Sequence, residues 1–254
     1  MKGKELDGMK AVLVTPTYGN VDPMCAKDLR VATMSASNHG LYWAGDASAN
    51  KVGFSAARNE GANLTWLMGK DETDGAMWVD SDIRMGPDAI LRLLHSVRDN
   101  KADFATGVYH QRGAMYTPVF YHFSKNKKKF QPFTNYPLNS WYPVEGCGFG
   151  FVWTSWTLLD KIRNLKTFKE SEGWFPDKRD TDDGFGEDLE FCMHAMNAKV
   201  QLYVNTSVLL GHTGEPRIIY REDFLAEHEK WLATPEEERS KVVPKTWGVK
   251  NETE

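Results

Sequence analysis

The sequence predicts one α/β domain with a mostly parallel central sheet flanked by helices and a small antiparallel element. Three observations carry this. Two apolar runs, Ala11–Thr15 and Ala76–Val79, are unbroken by polar residues, as strands buried on both faces are. Each run ends abruptly in polar or breaker residues, and segments of helical period lie between and after them. Finally, 254 residues with 41% hydrophobic side chains suffice for one sizeable core, or at most two small ones.

Taken in order, residues 1–10 form a polar lead-in, and Ala11–Thr15 reads as the first strand. It stops at Pro16-Thr17-Tyr18-Gly19-Asn20, a loop at the carboxyl end of a strand, where open α/β sheets place their ligands. A weak helical pattern spans Met24 to Asn38, and Gly40–Ala44 reads as a second strand. From about Lys51 to Met68, Phe54, Ala57, Gly61 and Leu64 recur at helical spacing and carry Arg58 and Asn59 with them. The next strand runs into Asp80-Ser81-Asp82.

Strand periodicity sends Asp80 and Asp82 to the same side. Two carboxylates held so close repel, and both stay ionised only beside positive charge. A hard divalent cation meets that need and commonly takes its other ligands from substrate phosphate oxygens. The competing explanation is a solvated acidic turn.

Gly86-Pro87-Asp88 opens a helix with a buried stripe of Ile90, Leu91, Leu94 and Val97, followed by a strand over Ala102–Tyr109. Residues 116–133 read as a hairpin with a basic tip at Lys125–Lys129, and 134–143 as a loop containing Trp141 and Tyr142. Glu145–Trp153 reads as a strand in which Gly146, Gly148 and Gly150 leave one face clear while Cys147, Phe149 and Phe151 fill the other. Strand glycines mark close approach by a ligand or another backbone, and three in register predict something broad on that face. A helix over Thr154–Arg163 precedes a long polar loop, 164–185, containing Trp174-Phe175-Pro176. Glu187 and Asp188 then fall in the first turn of a helix, where its dipole favours negative charge. Val200–Val204 and Ser207–Leu210 read as closing strands that end at Gly211-His212. A charged helix follows from about Arg221 to Ala233, then an acidic tail.

Net charge is −4, so the surface as a whole offers no basic field for nucleic acid, although a local patch remains open. Cys25, Cys147 and Cys192 show no paired spacing and read as reduced thiols, with no disulfide framework or zinc site. The charged N-terminus lacks a signal peptide's apolar core, and no apolar run reaches the ~18 residues of a membrane span. The expectation is a cytoplasmic protein.

Six stretches now stand in order: Pro16-Thr17-Tyr18, Ala57-Arg58-Asn59, Asp80-Ser81-Asp82, Gly146-Cys147-Gly148-Phe149, Gly186-Glu187-Asp188-Leu189-Glu190-Phe191, and Gly211-His212. Together they resemble small nucleotide-sugar-dependent glycosyltransferases of the glycosyltransferase-A fold, Rossmann-like enzymes of bacteria and their phages, over roughly residues 10–215. The resemblance implies a catalytic domain over 1–215 and a helical extension with a charged tail over 216–254. It implies that Pro16, Thr17 and Tyr18 hold the base and ribose, and that Arg58 and Asn59 reach the nucleotide or its phosphates. Asp80, with Ser81, would contact the ribose or a water on the metal. Asp82 and His212 would ligate Mn²⁺ or Mg²⁺, and Gly146, Gly148 and Trp174 would face the donor sugar and acceptor. Asp188, beside Glu187, would be the general base of an inverting enzyme, or would bind acceptor or sugar in a retaining one. A UDP-sugar is the implied donor, and the acceptor is a glycan or a hydroxymethylated base of phage DNA. Two other classes compete: an aspartyl-phosphate-type phosphohydrolase, which also ends a strand in Asp-x-Asp, and a non-catalytic module holding glycan or nucleic acid through aromatics and the lysine tip. The sequence leaves the oligomeric state open.

Overall fold

The computed structural model describes residues 6–17, 21–48, 53–112, 116–181, 184–214 and 218–235. The first half alternates strand and helix: β1 (Lys10–Val14), α1 (Pro23–Asn38), β2 (Tyr42–Ala47), α2 (Phe54–Met68), β3 (Gly75–Val79), the short β4 (Ile83–Arg84), α3 (Ala89–Asn100) and β5 (Phe104–Val108). The second half is richer in antiparallel pairs: β6 (Phe120–Ser124), β7 (Lys129–Pro132), β8 (Trp141–Val144), β9 (Gly146–Cys147) and β10 (Phe151–Ser155). Then come α4 (Trp156–Arg163), α5 (Glu187–Asn197), β11 (Leu202–Leu209), β12 (Gly211–Thr213), β13 (Ile218–Ile219) and α6 (Arg221–Ala233).

Among the described residues, seven strands form the main sheet in the order β2-β1-β3-β10-β5-β11-β8. β1 pairs in parallel with β2 and β3, and β5 with β11. β10 runs antiparallel to both of its neighbours, so β3 and β5 share one direction, and β8 reverses at the far edge. The sheet is thus mostly parallel, with one reversed strand at its centre. Every residue of β3 and β5 is buried, which explains the unbroken apolar sequence of β3 and, in β5, an apolar strand whose one polar residue, Thr106, donates to the Phe151 carbonyl at 3.0 Å. Alternation divides them between two cores: Ala76 and Trp78 join Phe149, Phe175 and Phe191, whereas Met77 and Val79 join Ile90, Leu94 and Trp153.

Several expectations shift. Trp141 and Tyr142 belong to an edge strand, where Pro143 costs no ladder bond. The two closing strands are one, β11, with an irregular register between Val204 and Leu209. The glycine-rich strand is broken into β9 and β10 around Gly148–Gly150. Segments after residue 215 join the body: β13 pairs with β12, and Phe224 of α6 is buried in the first core. No helix among the described residues is long and apolar enough to cross a membrane.

Two small sheets complete the architecture. β7-β6-β9 contains the expected hairpin, and β13-β12-β4 joins the chain's end to the turn after β3. The Arg84 Nε donates to Asp28 Oδ2 at 2.5 Å, tying β4 to α1. The seven-stranded, mostly parallel sheet with flanking helices and small antiparallel sheets is the α/β architecture that the sequence predicts.

Candidate active site

The two carboxylates of Asp80-Ser81-Asp82 do not stay on one side. β3 ends at Val79, and the Ile83 N–H closes a turn onto the Asp80 carbonyl at 3.2 Å. Strand periodicity therefore stops between them, and each enters a different group of side chains.

Asp80 enters the buried group centred on Arg58. From α2, one guanidinium nitrogen (Nη1) donates to Glu187 Oε1 at 2.7 Å and to Asp188 Oδ1. The other, Nη2, donates to Asp80 Oδ2 at 3.1 Å and Oδ1 at 3.3 Å. The rigid fork of arginine suits this arrangement, in which one cation serves three carboxylates. Asp188 Oδ2 also accepts from the Phe149 N–H at 3.2 Å. Burial pushes the Asp188 carboxyl up to about 7, against the Arg58 charge and with help from Glu187 and Asp80. The Asp80 carboxyl is likewise raised by burial, with Arg58 opposing.

Asp82 enters the second group. Pairing of β12 with β4 sets His212 opposite Ile83, and the Thr213 N–H donates to the Asp82 carbonyl at 2.8 Å. The imidazole Nε2 of His212 then lies 3.6 Å from Asp82 Oδ2. Its Nδ1 is 2.8 Å from the His110 carbonyl, an acceptor only, so Nδ1 carries the proton and Nε2 presents its lone pair. Burial and then the Arg112 charge lower His212 to about 4, which keeps the ring neutral near pH 7. Asp82 Oδ1 is buried and has no hydrogen-bond partner. Arg112 bridges both members of this second group: its Nη2 contacts Asp82 Oδ2, and its Nε and Nη2 lie 3.2 and 3.1 Å from His212 Nε2.

Tyr109 forms a wall common to the two groups. Its ring meets His212 edge-on with centroids 5.5 Å apart, and its hydroxyl accepts from the Gly150 N–H at 2.8 Å. Burial raises the phenol well above its ordinary value, with Asp188 and Asp80 adding to the effect.

Of the residues expected here, the structure brings together Arg58, Asp80, Asp82, Glu187, Asp188 and His212. Pro16 is buried at the end of β1, and Thr17 Oγ1 donates to the Thr15 carbonyl at 3.2 Å. Tyr18 lies outside the described residues. Ser81 is a partly buried member of the turn.

Four expectations need correction. Arg58 was expected to reach the nucleotide, but it is buried among its three carboxylates. Asn59 holds the 172–175 loop: its Oδ1 accepts from the Phe175 N–H at 3.0 Å and its Nδ2 donates to the Phe175 carbonyl at 3.3 Å. Gly173 crosses this amide with φ +69, and a Cβ there would strike the Asn59 side chain. The face cleared by glycines is filled by the protein's own rings. A Cβ on Gly148 would collide with the Tyr109 hydroxyl, and one on Gly146 would lie 2.6 Å from the Phe130 ring. Trp174, and Phe175 beside it, are buried in the core, and the Trp174 Nε1–H donates to the Leu159 carbonyl at 3.0 Å, so neither ring offers a stacking face.

Tyr109 and Arg112 were missed by the sequence reading. They follow β5 just as Pro16 follows β1 and Asp80 follows β3, so the carboxyl end of a third parallel strand was the available signal. A separate cleft of about 450 Å³, lined by Glu60, Arg163, Phe168, Trp174 and neighbours, shares no residue with either charged group.

One metal requirement is met only in part by protein atoms. Among the described residues, no set of three or more His, Cys, Asp and Glu converges as a metal cage. The pair Asp82 and His212 does fit an ion that draws its other ligands from water and phosphate: a neutral imidazole lone pair faces a carboxylate whose second oxygen has no partner.

No family model matches the chain, and no curated protein sequence matches it. Solved structures do. The crystal structure of A197 from STIV is 15% identical and covers 84% of this chain and 94% of its own, with a TM-score of 0.55. It shares the fold. GalNAc-T7 with UDP, GalNAc and Mn²⁺ is a fainter likeness, 8% identical with a TM-score of 0.45, over 88% of this chain and 48% of that longer one.

Proposed function

We propose that this protein is a divalent-metal-dependent glycosyltransferase that moves a sugar from a nucleoside diphosphate-sugar, a UDP-sugar, to an acceptor hydroxyl. The observation that carries the reading is the meeting of Asp82 with the Nε2 lone pair of His212, 3.6 Å apart and 130 positions separated in the chain. A carboxylate with one imidazole favours a first-row ion such as Mn²⁺ over Mg²⁺, which asks for oxygen ligands. When bound, such an ion neutralises the charge that develops on the leaving diphosphate.

The chain's own residues supply the rest. Asp188 takes the proton of the acceptor hydroxyl. A carboxyl near 7 is well matched to that task, being ionised in a substantial fraction of molecules at neutral pH yet basic enough to accept a proton. Arg58 fixes the carboxylate's orientation, and the Phe149 N–H holds its second oxygen. Tyr109 excludes water between this base and His212. Pro16 and Thr17, at the end of the neighbouring β1, together with Tyr18 that follows them in sequence, bind the nucleoside. If Asp188 instead binds acceptor or sugar, the product keeps the donor's anomeric configuration, and NMR of the product distinguishes the two.

The acceptor is a glycan or a hydroxymethylated DNA base. The exposed tip between β6 and β7, with Lys125, Lys127, Lys128 and Lys129, supports the DNA reading. Replacing Lys127–Lys129 by Glu should then abolish salt-sensitive DNA retention; no retention by the unaltered protein at low salt removes DNA as acceptor. For the donor, thermal shift against UDP and GDP with and without Mn²⁺ is the test. Stabilisation by UDP that requires Mn²⁺ is expected, and equal stabilisation without metal overturns the metal-dependent reading.

A further inference from the structure

Arg112 occupies the atoms that an incoming ion would need. Its guanidinium contacts Asp82 Oδ2, and its N–H groups point at the His212 Nε2 lone pair from 3.1 and 3.2 Å. One lone pair cannot serve an arginine N–H and a metal ion together, and a guanidinium next to a divalent cation is repelled by it. We propose that Arg112 is a resident cation that holds the Asp82–His212 pair against divalent ions until an anionic diphosphate draws it away. This inference rests on the metal-dependent reading and adds a rule for loading: ion and nucleoside diphosphate enter together.

The contrast in burial explains why Arg112 can leave. Its side chain is 48% exposed, whereas that of Arg58 is 3% exposed. An exposed ion pair contributes about 0–1 kcal/mol, so giving it up costs little. A phosphate pair offers the guanidinium a bidentate partner in exchange. The backbone beside it is held: the Gln111 N–H donates to the Thr117 carbonyl at 2.9 Å, and His110 bridges to Pro118. Release therefore needs a change of side-chain rotamer rather than of fold.

The test is Mn²⁺ binding by the full chain without nucleotide, read from the electron paramagnetic resonance of free Mn²⁺. Arg112→Gln should bind Mn²⁺ roughly two- to fivefold more tightly than the unaltered protein, as loss of an exposed competing pair implies. Asp82→Asn added to Arg112→Gln should remove binding. If Arg112→Gln binds no more tightly while Asp82→Asn abolishes binding, the role given to Arg112 is wrong and the metal site stands. If no variant binds Mn²⁺, with or without UDP, both fall. A thermal melt of Arg112→Gln close to that of the unaltered protein confirms that folding is not the cause.

Discussion

Two arginines in this molecule face carboxylates, and they do different things. Arg58 is buried and serves Asp80, Glu187 and Asp188 at once; Arg112 is half-exposed and shares Asp82 with a neutral histidine. The same ion-pair chemistry becomes scaffold in one place and an exchangeable contact in the other. Burial makes the difference. Removing a buried cation leaves desolvated charges without a partner, whereas an exposed one is replaced by water. Asp80 and Asp82, two positions apart, are divided the same way: Asp80 pairs with the buried Arg58 and Asp82 with the half-exposed Arg112.

The sharpest way to break this comparison is at the base. Asp188→Asn should keep the Phe149 contact and nucleotide binding yet lose about 10²–10⁴-fold in transfer rate. On the proposed role, Asp188 of the unaltered protein must be ionised to accept a proton, so the transfer rate should rise with pH through about 7 and level off above it. A pH–rate profile flat from 5.5 to 8 contradicts the assignment. Next in size is stability. Arg58→Leu should cost about 3–5 kcal/mol in urea unfolding because three carboxylates lose their counter-charge, while Arg112→Gln should change stability by less than about 1 kcal/mol. Comparable losses would erase the distinction between scaffold and exchangeable contact.

A smaller effect comes from the histidines. Burial lowers both His212 and His110 to about 4 from an ordinary 6.5. Between those values the unfolded chain binds protons on these rings that the folded one does not, so their contribution to stability is full above 6.5 and declines as pH falls towards 4, while the raised Asp188 carboxyl contributes the opposite slope over the same interval. The difference in urea midpoint between the unaltered protein and His110→Phe, followed across that interval, isolates the histidine sign. His110→Phe should flatten part of the slope while preserving the stack on Phe224.

Much of the fold was legible because buried parallel strands leave unbroken apolar runs, as in β1 and β3, and because α3 carries a clear stripe. The pairing of Asp82 with His212 followed only from resemblance, since no local pattern links residues so far apart. The roles of Arg58 and Asn59 were misjudged because sequence shows that a polar residue lies on a helix but not how deeply it is buried. The glycines at 146 and 148 imply close approach by a ligand or another backbone, but what lies against them are the side chains of Phe130 in β7 and Tyr109 just beyond β5. Trp174 lies in a loop of polar sequence that the resemblance turns towards donor sugar and acceptor; Asn59 and Gly173 fold that loop inward and bury the ring. Arg112 carried no motif at all, and its place depends on where β5 ends.

On the proposed function, transfer requires a divalent ion held by Asp82 and His212. The direct measurement is UDP release from a panel of UDP-sugars, with acceptor glycans or DNA, at graded Mn²⁺ concentration, for the unaltered protein and Asp82→Ala. Release that saturates with Mn²⁺ and falls roughly a thousandfold or more in Asp82→Ala, with the melting temperature little changed, is the predicted result. Release that is independent of Mn²⁺, or undiminished in Asp82→Ala, would contradict the account.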